Sequence, residues 1–231
     1  MGKRADHAVP ERAIQIEMGE AGPDSLTSPE VLALLQEIGH TSISHVEWVG
    51  GRLLERGDWA DLLHRSHLLE LTNHLWVHGR ELLDPCLSRR VVDLTPGGTV
   101  VLHIGPEDRE EHLKGLERLL EVEKPAALLQ NRIPAGEGSL ESIRETVEMI
   151  GSLGIPSFVD GHIPPLKRRM RDCPGSTMLV DDEGFAHPCY PFRWELGNVR
   201  EEGLMDLTDR VPRTEAGEGC SGCLRCRGTL P

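Results

Sequence analysis

The sequence predicts an α/β protein: six parallel strands alternating with helices, followed by a small β-hairpin segment. Three observations carry this. Through the first 165 of the 231 residues, short apolar runs alternate with longer stretches whose apolar residues recur at helical spacing. Strands alternating with helices build a parallel sheet through right-handed crossovers. Past a break at Gly161-His162-Ile163-Pro164-Pro165, two short apolar runs instead flank a turn. Five of the six cysteines, Cys173, Cys189, Cys220, Cys223 and Cys226, lie beyond that break. The chain therefore divides into 1–165 and 166–231.

Taken in order, Ile14 to Met18 reads as the first strand. Ser28-Pro29-Glu30 starts a helix, with Ser28 as N-cap and Pro29 at the first helical position. Val31, Leu32, Leu34, Leu35 and Ile38 give that helix its apolar face. Val46 to Val49 is a second strand, ending in Gly50-Gly51. Trp59, Leu62, Leu63 and Leu68 mark a second helix. Thr72 to Val77 is a strand, Leu82 to Val92 a helix and Thr99 to Ile104 a strand. A charged helix over Asp108 to Glu123 leads to a strand over Ala126 to Ile133. A helix over Leu140 to Leu153 leads to the last strand, Ile155 to Val159. Six strands are too few for a closed eight-stranded barrel, so a partial barrel or an open sheet is expected. Lys167-Arg168-Arg169-Met170-Arg171 reads as a solvated connector. Met178-Leu179-Val180 and Phe185-Ala186 then flank Asp181-Asp182-Glu183-Gly184, a hairpin in which Gly184 takes positive φ. Leu204 to Asp209 reads as one or two helical turns.

The charge of −13 and pI of about 5.3 exclude non-specific nucleic-acid binding and attraction to an anionic membrane, both of which need a basic face. No apolar run approaches a bilayer span, and the start Met1-Gly2-Lys3-Arg4-Ala5-Asp6-His7 has neither a signal-peptide core nor a myristoylation pattern. The chain reads as cytoplasmic, where clustered cysteines bind metals or do redox work more often than they form disulfides.

The short C-x2-C-x2-C spacing of Cys220, Cys223 and Cys226 lets two sulfurs from one loop reach one centre. A hairpin brings Cys173 and Cys189 to the same side. Cys173, Cys189, Cys220 and Cys223 then complete one site, with Cys226 able to replace Cys223. On spacing alone, an iron–sulfur cluster and a structural zinc both remain open.

Cys173-x15-Cys189 encloses Gly184-x4-Cys189, and Gly197-Asn198-Val199 and Cys220-x2-Cys223 follow. This order resembles the auxiliary-cluster extension, SPASM in its long form and twitch in its short form, of radical S-adenosylmethionine (SAM) enzymes. The long form needs further cysteines, so the single-cluster form fits. The resemblance implies a six-stranded (β/α)6 partial TIM barrel over 1–165 and one auxiliary [4Fe–4S] cluster in 166–231. It also aligns Val49-Gly50-Gly51-Arg52-Leu53-Leu54 with the family's G-G-E-P-L turn, and Val77-His78-Gly79 with its T-N-G turn.

The chain departs from the family in two places. The C-x3-C-x2-C motif that holds the catalytic cluster is absent. Its loop is Gly19-Glu20-Ala21-Gly22-Pro23-Asp24, which is short and lacks cysteine. Arg52 stands where the family has a Glu that accepts from the SAM ammonium, and arginine has no acceptor. No catalytic residue is assigned, and SAM binding is doubtful. His40, His45, His74, His78 and His103 read as ordinary surface or core groups rather than substitute ligands. Glu17 and Glu47 alternate along strands, toward a barrel lumen or a solvated edge. Cys86 reads as a buried small residue.

Three functions follow. One is a radical SAM-like protein that keeps an auxiliary cluster for electron relay or for binding a substrate or partner. Another is an active maturase of peptides or cofactors whose cluster loop is missing from this sequence. The third is a zinc-stabilised binding module. The partners implied are a peptide or small-molecule substrate, or an active radical SAM relative.

Overall fold

A computed structural model of the chain describes residues 12–19, 22–50, 52–103, 109–122, 128–134, 157–160, 178–188 and 193–211, with five isolated helical residues between 141 and 149. The connector at 167–171, most of the helix expected over 140–153 and all five C-terminal cysteines fall outside them.

One sheet organises the molecule. Strands β1 (Arg12–Glu17), β2 (Ile43–Val49), β3 (Thr72–His78), β4 (Thr99–His103), β5 (Leu128–Pro134) and β6 (Ser157–Asp160) lie side by side in chain order, each parallel to the next. β7 (Met178–Val180) adds to the other side of β1, also parallel. β8 (Phe185–His187) and β9 (Gly197–Asn198) continue antiparallel, giving nine strands in the order β6-β5-β4-β3-β2-β1-β7-β8-β9. The hairpin thus joins the main sheet through its first strand.

The strand period of two separates the faces. Ile14, Ile16, Val46, Trp48, Leu75, Val77, Val100, Leu102 and Val180 are fully buried on one face. They pack with Val31, Leu34, Leu35, Ile38, Leu62, Leu63, Val91, Leu116 and Leu119 of the helices that cover that face. The opposite face carries Gln15, Glu17, His45, Glu47, His74, Trp76 and His78. Parallel strands buried on both faces read as continuous apolar runs. β1 to β3 largely alternate, so their second face is mostly polar, although Val49, Val101 and Leu179 are also buried on that side of the sheet.

The helices are α1 (Ser28–Gly39), α2 (Trp59–Leu68), α3 (Pro85–Leu94), α4 (Arg109–Glu121) and α5 (Leu204–Asp209). The N-cap of α1 is Thr27 rather than Ser28, because Glu30 reaches back to the Thr27 N–H at 2.7 Å and closes a capping box. The helix expected from Leu82 splits in two. Gly79–Leu83 forms a 3-10 turn, and α3 starts afresh with Asp84 accepting from the Cys86 N–H at 2.9 Å and Pro85 in its first turn. That start places Cys86 on the outer first turn, so it is exposed rather than buried. Leu68, one of the residues that mark the second helix in the sequence, is 58% exposed at the end of α2.

Candidate functional site

In parallel α/β sheets ligands meet the carboxyl ends of the strands, where the connecting loops converge. Here that edge carries Glu17 at the end of β1 with Met18 after it, Gly50 and Arg52 after β2, His78 at the end of β3, and Asp181 and Asp182 after β7. Gly50 bends the chain with φ of +92°, and a Cβ there would lie 3.2 Å from the Met18 carbonyl oxygen. Gly51 lies outside the described residues, and Arg52 is exposed beyond it.

Two clusters occupy the edge. Over β1 and β7, both guanidinium nitrogens of Arg193 donate to Glu17, one of them at 3.0 Å, in the fork geometry arginine offers a carboxylate. Asp182 lies across the Gly19 backbone so closely that a Cβ on Gly19 would overlap its carboxylate. Desolvation, with Glu17 and Asp181 nearby, pushes the Asp182 carboxyl above its ordinary range. Over β2 and β3, burial pushes the Glu81 carboxyl up to about 7, against the hydrogen bond it accepts from the His78 N–H at 2.8 Å. The charge of Glu55 adds to that rise. Burial, with Arg80 and Arg52 beside it, pushes His78 toward its neutral form. This mouth therefore holds a carboxyl that carries a proton near neutrality beside an imidazole that does not.

Deeper on the same face, Gln15 donates to Glu47 at 2.8 Å, and Glu47 is buried. His45 Nδ1 and His74 Nε2 lie 2.9 Å apart. So Glu17 and Glu47 share one inner face and are not isolated surface groups. His45 and His74 face each other, and His78 belongs to the charged mouth. His40 follows α1, away from this face, and His103 is the register partner of His78. The sequence reading missed Arg193, Asp182 and Glu81. Only the alternation of polar residues along β1 to β3 signalled this face.

The turns singled out in the C-terminal segment meet. Gly184 has φ of +87°, and the Val199 N–H donates to its carbonyl at 2.9 Å. Asn198 Nδ2 reaches the Glu183 carbonyl at 3.4 Å, and Arg200 reaches the same carbonyl at 2.9 Å. His187, just before Pro188, holds Asp181 Oδ2 at 2.8 Å. Cys173, Cys189, Cys220, Cys223 and Cys226 lie outside the described residues. Among the described residues no three His, Cys, Asp or Glu converge on a metal position.

No protein-family model and no curated protein matches the chain. Solved structures do. Streptococcus suis SuiB bound to S-adenosylmethionine aligns over 94% of this chain and 72% of its own, at a TM-score of 0.53 and 12% identity. A second structure of SuiB aligns over 85% of this chain at a TM-score of 0.50 and 12% identity, and the chain spans 65% of its length. The chain folds like SuiB. At this identity the likeness is one of fold, and SuiB's ligand belongs to SuiB. Among the described residues no helix is long and apolar enough to cross a membrane.

Proposed function

We propose that this chain is a radical SAM-like iron–sulfur protein of the cytoplasm that keeps one auxiliary [4Fe–4S] cluster and has lost the SAM-cleaving site. The observation that carries the reading is how the connection after β1 is closed. In the family this connection holds the three-cysteine loop. Here the Leu26 N–H donates to the Asp182 carbonyl at 2.6 Å, and Arg200 reaches the Asp24 carbonyl at 3.0 Å. Leu26 is buried, and Asp182 covers Gly19. The C-terminal segment thus packs on the described residues of this connection, which supports a short one. Arg52 supports the same reading, since a cation after Gly50 repels an ammonium.

Residues 1–165 then form the partial barrel and 166–231 the cluster-binding unit. Cys173, Cys189, Cys220 and Cys223 hold the cluster, with Cys226 in reserve. A cluster with four thiolates supplies one-electron chemistry and has no open iron site. The contacts between Gly184 and Asn198-Val199 support this assignment, because both turns belong to the motif order that the resemblance rests on. The polar inner face and charged mouth suit a peptide or small polar molecule, and an active radical SAM relative is the partner that would use the electron.

Anaerobically purified protein should contain iron and sulfide at about four each per chain. Cys189→Ala should abolish both. Zinc without sulfide would overturn the iron reading and leave a zinc-stabilised module. Reductant-dependent conversion of SAM to 5′-deoxyadenosine would overturn the loss of SAM cleavage.

A further inference from the structure

Leu32 and Gln36 stand one turn apart on α1, and Arg65 and Leu68 stand three positions apart on α2, with Leu69 just past its end. Residues at those spacings share one face of a helix. Together the five line a slot of about 340 Å³ between the two helices, on the side away from the polar inner face. Leu32 and Leu69 pack on the core and join the slot to it, while Leu68 is exposed. None of the five has a part in the reading above.

A single exposed leucine is ordinary. The polar residues of the slot are not. Asp61 lies four positions before Arg65, the order that favours an ion pair along a helix. Elsewhere on the surface Lys114 takes such a partner in Glu110, and Arg89 takes one in Asp93. Arg65 instead lines the slot, and its guanidinium makes neither hydrogen bond nor ion pair among the described residues. Gln36, on the facing helix, is likewise without a side-chain partner. On a chain of charge −13, this face sets an apolar strip beside an unpaired cation and an amide.

Shape and charge select the occupant. Two neighbouring helices present ridges of side chains, and the trough between them accepts the ridge of a third helix. The volume is near the bottom of the range for ligand pockets, about 300–1,000 Å³. It has room for the apolar side chains of one helix face. Arg65 adds a demand for a carboxylate beside that face. We propose that the slot between α1 and α2 docks an acidic amphipathic helix of a partner protein. Its aliphatic side chains pack on Leu32, Leu68 and Leu69, its Asp or Glu pairs with Arg65, and Gln36 bonds to its polar rim. A contact of this size makes a weak, transient complex. The site uses no cysteine, so its failure would leave the iron–sulfur reading standing.

The test is fluorescence anisotropy of a labelled helical peptide titrated with the full chain. The peptide carries two leucines one turn apart and a glutamate one turn further on. We expect saturable binding that weakens as salt rises. Replacing the peptide's glutamate by glutamine should weaken it about threefold. Arg65→Glu should weaken it about tenfold, and a peptide with lysine in place of the glutamate should recover that loss. Leu68→Asp should weaken it about tenfold or more. Both side chains are exposed, so both variants should keep the melting curve of the parent. Absence of saturable binding, binding unchanged by Leu68→Asp, or a charge swap without recovery would overturn the site. A dimer of the chain alone in sedimentation, dissolved by Leu68→Asp, would give the slot to a second copy and overturn the partner helix.

Discussion

Glu81 lies where the chain leaves β3, with its carboxyl pushed up to about 7 from an ordinary 4.5, chiefly by burial. In the unfolded chain it loses its proton near 4.5, whereas the folded chain keeps the proton until about 7. Between those values only the unfolded state gains the charge. Stability attributable to Glu81 therefore falls as pH rises through that window and is level above it. At 1.36 kcal/mol per pKa unit the loss is on the order of 3 kcal/mol. Glu81→Gln keeps an acceptor for the His78 N–H and has no proton to lose. Denaturant melts at pH 5 and pH 8 should show the variant gaining on the parent at the higher pH. A constant difference between the two proteins would show that Glu81 does not carry the titration. None of this is legible in the sequence, because it depends on burial and on Glu55, 26 positions earlier. His78 also caps the 3-10 turn in which Glu81 sits, a role its place in a family-like turn did not disclose.

α4 docks through an approach that only glycine permits. A Cβ on Gly115 would overlap the Gly79 carbonyl, and a Cβ on Gly79 would lie 2.5 Å from the His112 carbonyl oxygen. The Gly79 N–H donates to His112 Nδ1 at 2.9 Å, so the backbone of the turn is tied to a buried side chain of the helix. Overlap with backbone cannot be relieved by a rotamer change. Gly115→Ala should therefore cost about 3 kcal/mol or more in chemical denaturation, although alanine is the better helix former. Glu117→Ala, on the exposed side of the same helix, should stay within about 0.5 kcal/mol. Equal effects would mean that α4 can shift outward at no cost. The helix itself was legible, since Leu113, Leu116 and Leu119 recur at its period. Its docking was not, because the contact joins residues 36 positions apart. The capping errors have a similar source. Ser28-Pro29 looks like a helix start, but Thr27 stands three residues before Glu30 and closes the box instead. Asp84-Pro85 repeats that signal and takes the start of α3 from the apolar run at Leu82-Leu83.

On the scale of the molecule, the sequence distinguished a parallel α/β stretch from a C-terminal hairpin but treated the hairpin as an appendage. A strand of three residues gives no sign of which edge it joins. The contacts that fix it run between distant positions: Arg193 with Glu17, Arg200 with Glu30 and the Leu204 N–H with Glu37. Such pairs contribute little each when exposed. Most of the attachment comes from Met178, Val180, Leu204 and Leu207, which are buried in the same apolar cluster as Ile14 and Ile16. Burying four such side chains contributes roughly 6–12 kcal/mol. That is comparable with the whole stability of a typical domain, about 5–15 kcal/mol. A chain ending at residue 165 would lose this burial and expose the hydrogen-bonding edge of β1, a template for aggregation. We expect it to sediment as aggregate, or to lose its cooperative melt while keeping part of its far-ultraviolet dichroism. A monomer melting within a few degrees of the parent would show the opposite: that 1–165 folds alone, and that the C-terminal segment closes the β1 edge without supporting it.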